Sequence, residues 1–181
     1  IYGVQSAIIK DGTRVYESSG LGSMGYSIPA AIGAAIGSKV PTYAITGDGG
    51  AQMNIQELNV ISKLSLPVKV LVLNNRALGH IIQEHYLDNR LTATTEEGND
   101  YYSCDFTAIG KAYGIRSYKI HSIDELDQYV DMLLDGKPAL FEVVYENCTM
   151  LPNIHGGYDP LTNGPELPGN VVDIVKRIMA N

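Results

Sequence analysis

Between Thr42 and Thr46 the chain passes through a short apolar run that ends in glycines, and Val68 to Leu73 forms a second run, rich in β-branched residues and entered through Pro67. Runs of this length and composition predict interior strands. Between them Asn54 can cap a helix with Glu57 three residues on, while Ile55, Leu58, Ile61 and, with a shift, Leu64 supply a helical apolar stripe. The unit is strand, helix, strand. Upstream, residues 25–38 read as a buried helix with Pro29 in its first turn and many small residues. Downstream the alternation continues: helices near 78–88 and 105–113, a strand at Ile115–Ile120, a helix at Ile123–Leu134 and a strand at Ala139–Tyr145. Alternation of this kind predicts an α/β fold with an open, mainly parallel sheet and helices on both faces.

Residues 146–169 are rich in Pro, Gly and Asn and lack periodicity, so they predict a long loop or lid. Within it His155, Tyr158 and Asp159 read first as part of a plain surface loop, with a lid over a ligand as the alternative. Residues 170–181 predict a terminal helix, with Asn170 as its cap. At 181 residues the chain fits one domain, 1–181, and because it opens on Ile1 the expectation is an excised piece of a longer polypeptide.

The net charge of −7, with no cluster of Lys or Arg, argues against nucleic acid or an anionic membrane as partner, and no apolar stretch is long enough to span a bilayer. Cys104 and Cys148 lie far apart, without metal-ligand or disulfide-framework spacing, which fits a reduced cytoplasm. An acidic chain that binds an anion needs local help from a metal or a helix N-terminus.

That help is legible at two strand ends. The first strand runs into Gly47-Asp48-Gly49-Gly50 and the second into Asn74-Asn75, with 24 residues between Gly49 and Asn74. Parallel strands joined by one helical crossover can lie side by side with their C-terminal ends at the same sheet edge, where open α/β sheets bind ligands. One Asp oxygen, one Asn oxygen and a backbone carbonyl form a hard-oxygen set with vacancies, as suits Mg²⁺ shared with phosphates. The glycines allow close approach of backbone, and the following helix offers free N–H groups. Gly-Asp-Gly alone is a common turn and Asn-Asn alone ends many strands; it is their joint placement that points to a cation and a diphosphate.

The residues that carry this pattern resemble the thiamine-diphosphate-binding domain of the acetolactate synthase-like family, which has a GDG and an NN pair at this spacing. Residues 22–34, GSMGYSIPAAIGA, are similar to that family's GTMGxGLPAAIGA, and Gln52–Leu58 to its helix after the metal loop. The resemblance implies thiamine diphosphate and Mg²⁺ as cofactors. It implies that Asp48 and Asn75 ligate the metal through side chains and Ala77 through its carbonyl, with Gly47, Gly49, Gly50, Ala51, Leu78 and Gly79 around the diphosphate. Met24 would hold the cofactor bent, and the Gly22-Ser23-Met24 segment would meet its aminopyrimidine. The thiazolium would act as electron sink for a 2-oxo acid, in a decarboxylase or carboligase. The activating glutamate would come from a pyrimidine-binding domain of the same or a partner chain in a homodimer or homotetramer, since Glu17, Glu57 and Glu84 do not match its pattern.

After the Asn pair the family reads NNxxLGMVRQWQ, whereas this chain has His80 in place of Met and Glu84 in place of Trp. These two are i and i+4 on a helix and make a more polar substrate side, as for a hydroxylated or amino-bearing 2-oxo acid. Two rivals stay open. Gly20-Leu21-Gly22-Ser23-Met24-Gly25 is a literal GxGxxG of dinucleotide-binding domains, although Tyr16-Glu17-Ser18-Ser19 is too polar for the buried strand that should precede it. A non-catalytic module that retains the fold is the other.

Overall fold

The computed structural model describes residues 9–18, 20–87, 95–98 and 100–145, with the side chains of 83, 84, 86 and 87 set aside. The loop at 146–169, its His155, Tyr158 and Asp159, and the helix expected at 170–181 therefore lie outside the described residues. The chain divides into two compact units, 1–22 with 149–181, and 23–148. In the first, the described residues form a turn at Asp11–Gly12, closed by the Thr13 N–H on the Lys10 carbonyl at 3.0 Å, and a second closure from the Gly22 N–H to the Ser18 carbonyl.

The second unit holds the sheet. Its elements are α1 (Ser27–Ser38), β1 (Thr42–Gly47), α2 (Asp48–Met53), a 3-10 turn (Ile55–Glu57), α3 (Leu58–Lys63), β2 (Val68–Asn74), α4 (Gly79–Leu87), α5 (Phe106–Ala112), β3 (Arg116–Ile120), a 3-10 helix (Ile123–Tyr129), α6 (Val130–Leu134) and β4 (Ala139–Val144). All four strands are parallel, in the order β1-β2-β4-β3. Gly47 pairs with Leu73, and Asn74 with Val144, so the C-terminal ends of β1, β2 and β4 reach one edge together.

Alternation along β2 divides the core. Val68, Val70 and Val72 pack on one face with Ile28, Ile32, Leu58, Ile61, Phe106 and Leu140, beneath α1, α3 and α5. On the other face Leu71, Ile120, Phe141 and Val143 pack with Leu126, Tyr129, Met132 and Leu133 of the 3-10 helix and α6. Helices thus cover both faces. Each fully buried Leu, Ile or Phe contributes roughly 1.5–3 kcal/mol of transfer free energy to this arrangement.

Several local expectations are corrected. The helical run expected after Asn54 is present as the 3-10 turn Ile55–Glu57 and α3, and a separate helix, α2, precedes it at Asp48–Met53. Asn54 stands at the N-cap position without a capping side-chain bond, its Nδ2 donating instead to the Gly25 carbonyl at 2.8 Å. Strand β1 lies at an edge of the described sheet, so Tyr43 and Ile45 remain exposed. Helix α1 buries only the stripe Ile28, Ala31, Ile32 and Ala35, with Ile36 outside. Residues 123–129 wind as a 3-10 helix, whose three-residue repeat stacks Leu126 and Tyr129 on the same core face. Among the described residues no helix is long and apolar enough to cross a membrane.

Candidate functional site

The chain leaves β1 at Gly47 in an extended conformation and turns straight into α2 at Asp48. This places the Asp48 carboxylate at the sheet edge with only 1% of the residue exposed. Burial pushes its pKa above the ordinary carboxylate range, against opposing hydrogen bonds from Tyr101, the Gly49 and Asp48 N–H groups and Ser103. The Tyr101 hydroxyl donates to Asp48 Oδ2 at 3.0 Å. Burial first, then the Asp48 charge and hydrogen bond, hold the Tyr101 proton on well above the ordinary phenol range.

One strand over, Asn74 and Asn75 take different tasks. Asn74 is buried: its Oδ1 accepts from the Ser103 hydroxyl at 2.9 Å and the Arg76 N–H at 3.1 Å, and its Nδ2 donates to Glu142 at 2.8 Å. Asn75, half-buried, closes an Asx turn by accepting the Ala77 N–H at 3.3 Å. That turn passes through Arg76 at φ 55° and delivers buried Ala77 into an antiparallel bridge with Glu96, while the Leu78 N–H donates to the Thr95 carbonyl at 2.6 Å. Asp48, Asn75 and Ala77 are thereby carried by the ends of adjacent, register-matched strands.

Around Asp48 the backbone has little room. A Cβ on Gly49 would fall 2.5 Å from Leu78 Cδ2, 3.0 Å from Met24 Cε and 3.5 Å from Tyr101 Oη, so Met24, Leu78 and Tyr101 converge there. Met24 is 47% exposed, an apolar side chain open at the rim of the site instead of filling the core. A Cβ on Gly50 would meet Thr46 Oγ1 at 2.7 Å, and Ala51 is buried. Gly79 lies close to Asn75, with a Cβ there 3.2 Å from Asn75 Nδ2. Ser23 is exposed, and Gly22 belongs to the other compact unit. His80 is exposed in the first turn of α4, and the side chain of Glu84 lies outside the described residues.

Sequence reasoning missed Tyr101, Ser103 and Glu142. Tyr101 and Ser103 sit in an aperiodic stretch before α5, and Glu142 in a strand run read as apolar. Glu142 is 1% exposed and fully engaged: besides Asn74 it accepts from the Thr107 N–H at 3.0 Å, the Thr107 hydroxyl at 2.9 Å and Lys119 at 3.2 Å. Burial works against the Lys119 ammonium, but Glu142 and Asp105 outweigh it and hold its pKa above the ordinary value.

The donor set suits a hard cation. Among the described residues no group of three or more His, Cys, Asp or Glu could hold a metal. A cation here would therefore share its shell between one carboxylate, a carboxamide, a backbone carbonyl and ligand oxygens, which is the Mg²⁺-phosphate pattern. The burial of the Asp48 charge, which its hydrogen bonds only partly offset, is a cost that such a cation would reduce. The GxGxxG reading fares worse, because described residues 13–18 form no strand ahead of the glycines.

The family described as thiamine pyrophosphate enzyme, C-terminal TPP binding domain, matches residues 2–143. The probable acetolactate synthase large subunit of Methanocaldococcus jannaschii is 32% identical over 170 residues, 89% of this chain and 28% of that protein. Acetolactate synthase 2, chloroplastic, of Zea mays is 37% identical over 150 residues, 78% of this chain and 23% of that protein. The acetolactate synthase isozyme 2 large subunit of Escherichia coli is 36% identical over 130 residues, 70% of this chain and 23% of that protein. The chain thus spans about a quarter of the length of these relatives.

Proposed function

The chain belongs to the family of C-terminal thiamine-pyrophosphate-binding domains, and from that premise we propose that residues 1–181 act as one functional domain, which anchors thiamine diphosphate through Mg²⁺ within a 2-oxo acid decarboxylase or carboligase. The observation that carries the proposal is the placement of buried Asp48 and half-buried Asn75 just beyond the register-matched pair Gly47 and Leu73 of β1 and β2. In this reading Asp48 and Asn75 hold the metal by side chain and Ala77 by its carbonyl. Gly47, Gly49, Gly50 and Ala51 leave space for the diphosphate, and Leu78 and Gly79 close its other side. Met24, whose methyl group approaches Gly49, supports the bent cofactor.

When bound, thiamine diphosphate supplies the electron sink for the 2-oxo acid. This chain's own part is to bind and orient. The activating glutamate belongs, in the same proposal, to a pyrimidine-binding domain elsewhere in the polypeptide or on a partner chain. His80 and Glu84, one helical turn apart, would bias the substrate side towards a hydroxylated or amino-bearing acid.

Calorimetric titration of thiamine diphosphate into the full-length protein, with Mg²⁺ or with chelator, tests the proposal. Binding is expected only with the cation, and Asp48→Asn should weaken it by about two orders of magnitude, the ~3 kcal/mol of a lost charged interaction. The Asn variant keeps an acceptor for Tyr101 and removes a charge that burial disfavours, so it should melt no lower than the cofactor-free parent. Cofactor binding indifferent to both chelator and Asp48→Asn would refute the reading.

A further inference from the structure

Tyr101 is bound to the site by more than its ring. Its hydroxyl donates to Asp48 Oδ2 at 3.0 Å. The segment that carries it is fastened on every side: Glu96 bridges Ala77, the Thr95 carbonyl accepts the Leu78 N–H at 2.6 Å, the Tyr102 carbonyl accepts from Gln52 Nε2 at 3.4 Å, and the Ser103 hydroxyl donates to Asn74 at 2.9 Å. Residues 95–98 and 100–103 therefore touch the end of β2, the turn after it and α2. The phenol is held at the carboxylate by the segment that carries it.

We propose that Tyr101 is a positioning residue that makes Asp48 offer a cation a single oxygen, and so sets the preference of this site for Mg²⁺ over Ca²⁺. The inference rests on the reading of Asp48 as a metal ligand. A carboxylate that chelates one cation through both oxygens must present them symmetrically. The hydrogen bond from Tyr101 takes one lone pair of Oδ2 and holds the carboxylate's rotation, which makes Oδ2 the poorer ligand and favours coordination through Oδ1 alone. Mg²⁺ demands near-octahedral, one-oxygen-per-carboxylate coordination, whereas Ca²⁺ takes more ligands in looser geometry and readily accepts both carboxylate oxygens. Fixing the carboxylate rotation therefore costs Mg²⁺ nothing and denies Ca²⁺ its extra ligand.

The experiment measures thiamine diphosphate affinity of the full-length protein calorimetrically, at saturating Mg²⁺ and at saturating Ca²⁺, for the parent and for Tyr101→Phe. The Phe variant keeps the aromatic ring and removes only the hydroxyl that bonds Asp48. Its ratio of Ca²⁺-supported to Mg²⁺-supported dissociation constants should fall about tenfold, the effect of one hydrogen bond to a charged group. A loss of packing alone would weaken binding with both cations equally and leave the ratio unchanged. A parental ratio in Tyr101→Phe overturns the proposal while leaving the metal site standing. Parental binding that needs no divalent cation overturns the metal site itself. Should Tyr101→Phe melt below the assay temperature, Ser103→Ala carries the test: removing the hydroxyl that this segment gives to Asn74 and to Asp48 should move the ratio the same way by a few-fold, and no movement refutes the idea.

Discussion

Glu142→Gln swaps one buried oxygen for an amide and so asks what the carboxylate beneath the site holds in place. The parent side chain accepts from Asn74 Nδ2 at 2.8 Å, from the Thr107 N–H and hydroxyl at 3.0 and 2.9 Å, and from Lys119 at 3.2 Å. Glutamine has one oxygen for these donors and turns an NH₂ towards the rest. Thr107 can rotate its hydroxyl, but its N–H cannot turn. Asn74 cannot flip either, because its Oδ1 already accepts from Ser103 and the Arg76 N–H. One buried donor is left facing a donor, which costs about 1–3 kcal/mol. Lys119, 31% exposed, loses its deepest partner for up to ~1 kcal/mol more. The sum, roughly 1–4 kcal/mol, should appear where the bonds are. Hydrogen exchange read by mass spectrometry on a peptide containing the Thr107 amide should lose protection by roughly 5- to 700-fold, at ~1.4 kcal/mol per tenfold. Asn74→Ala in the same background should add little further, because the two changes break one shared chain of bonds. Thr107 protection within threefold of the parent, or full additivity of the two changes, would refute the reasoning.

Two further predictions concern opposite ends of the sheet. At the N-terminal edge Asp135 accepts two hydrogen bonds from Arg116, at 2.9 and 3.0 Å, and pairs with the fully buried Lys69. The Arg116 hydrogen bonds first, and then, against the opposing effect of burial, those from Lys69 and the Lys137 N–H, hold its pKa below the ordinary carboxylate range. Its stabilisation is therefore complete above the unfolded value, near ~3.9, and is lost as pH falls through the lower folded value. Asp135→Asn should destabilise the protein by about 3 kcal/mol at pH 7, by stranding a buried ammonium, and should flatten the fall in stability below about pH 4. Urea unfolding followed by circular dichroism from pH 3 to 7 checks both, and parallel pH profiles for parent and variant would count against the assignment. At the C-terminal edge, on the function proposed above, replacing His80 by Met and Glu84 by Trp in the full-length protein should shift kcat/KM towards pyruvate, relative to hydroxylated or amino-bearing 2-oxo acids, by about tenfold; unchanged selectivity across such a panel would remove these residues from the substrate side.

The sequence by itself determined the strands, the crossovers and the pair of donor-bearing strand ends, because each depends on neighbours close along the chain. A β-branched run makes β2, glycines force the turn at Asp48, and a single helical crossover brings Gly47 level with Leu73. It also determined the family, since the motif residues are contiguous. Helical detail was less legible: the Asn54 capping pattern is present, but its amide is drawn to the Gly25 carbonyl 29 residues away. The groups that only the tertiary structure decided share that property of distance. Tyr101 meets Asp48 across 53 residues, Glu142 meets Asn74 across 68, and Lys69, inside a run that reads as plain core, meets Asp135 across 66. No local periodicity records such pairs. A buried polar group must find a partner wherever the fold supplies one, and only the folded chain shows where that partner lies.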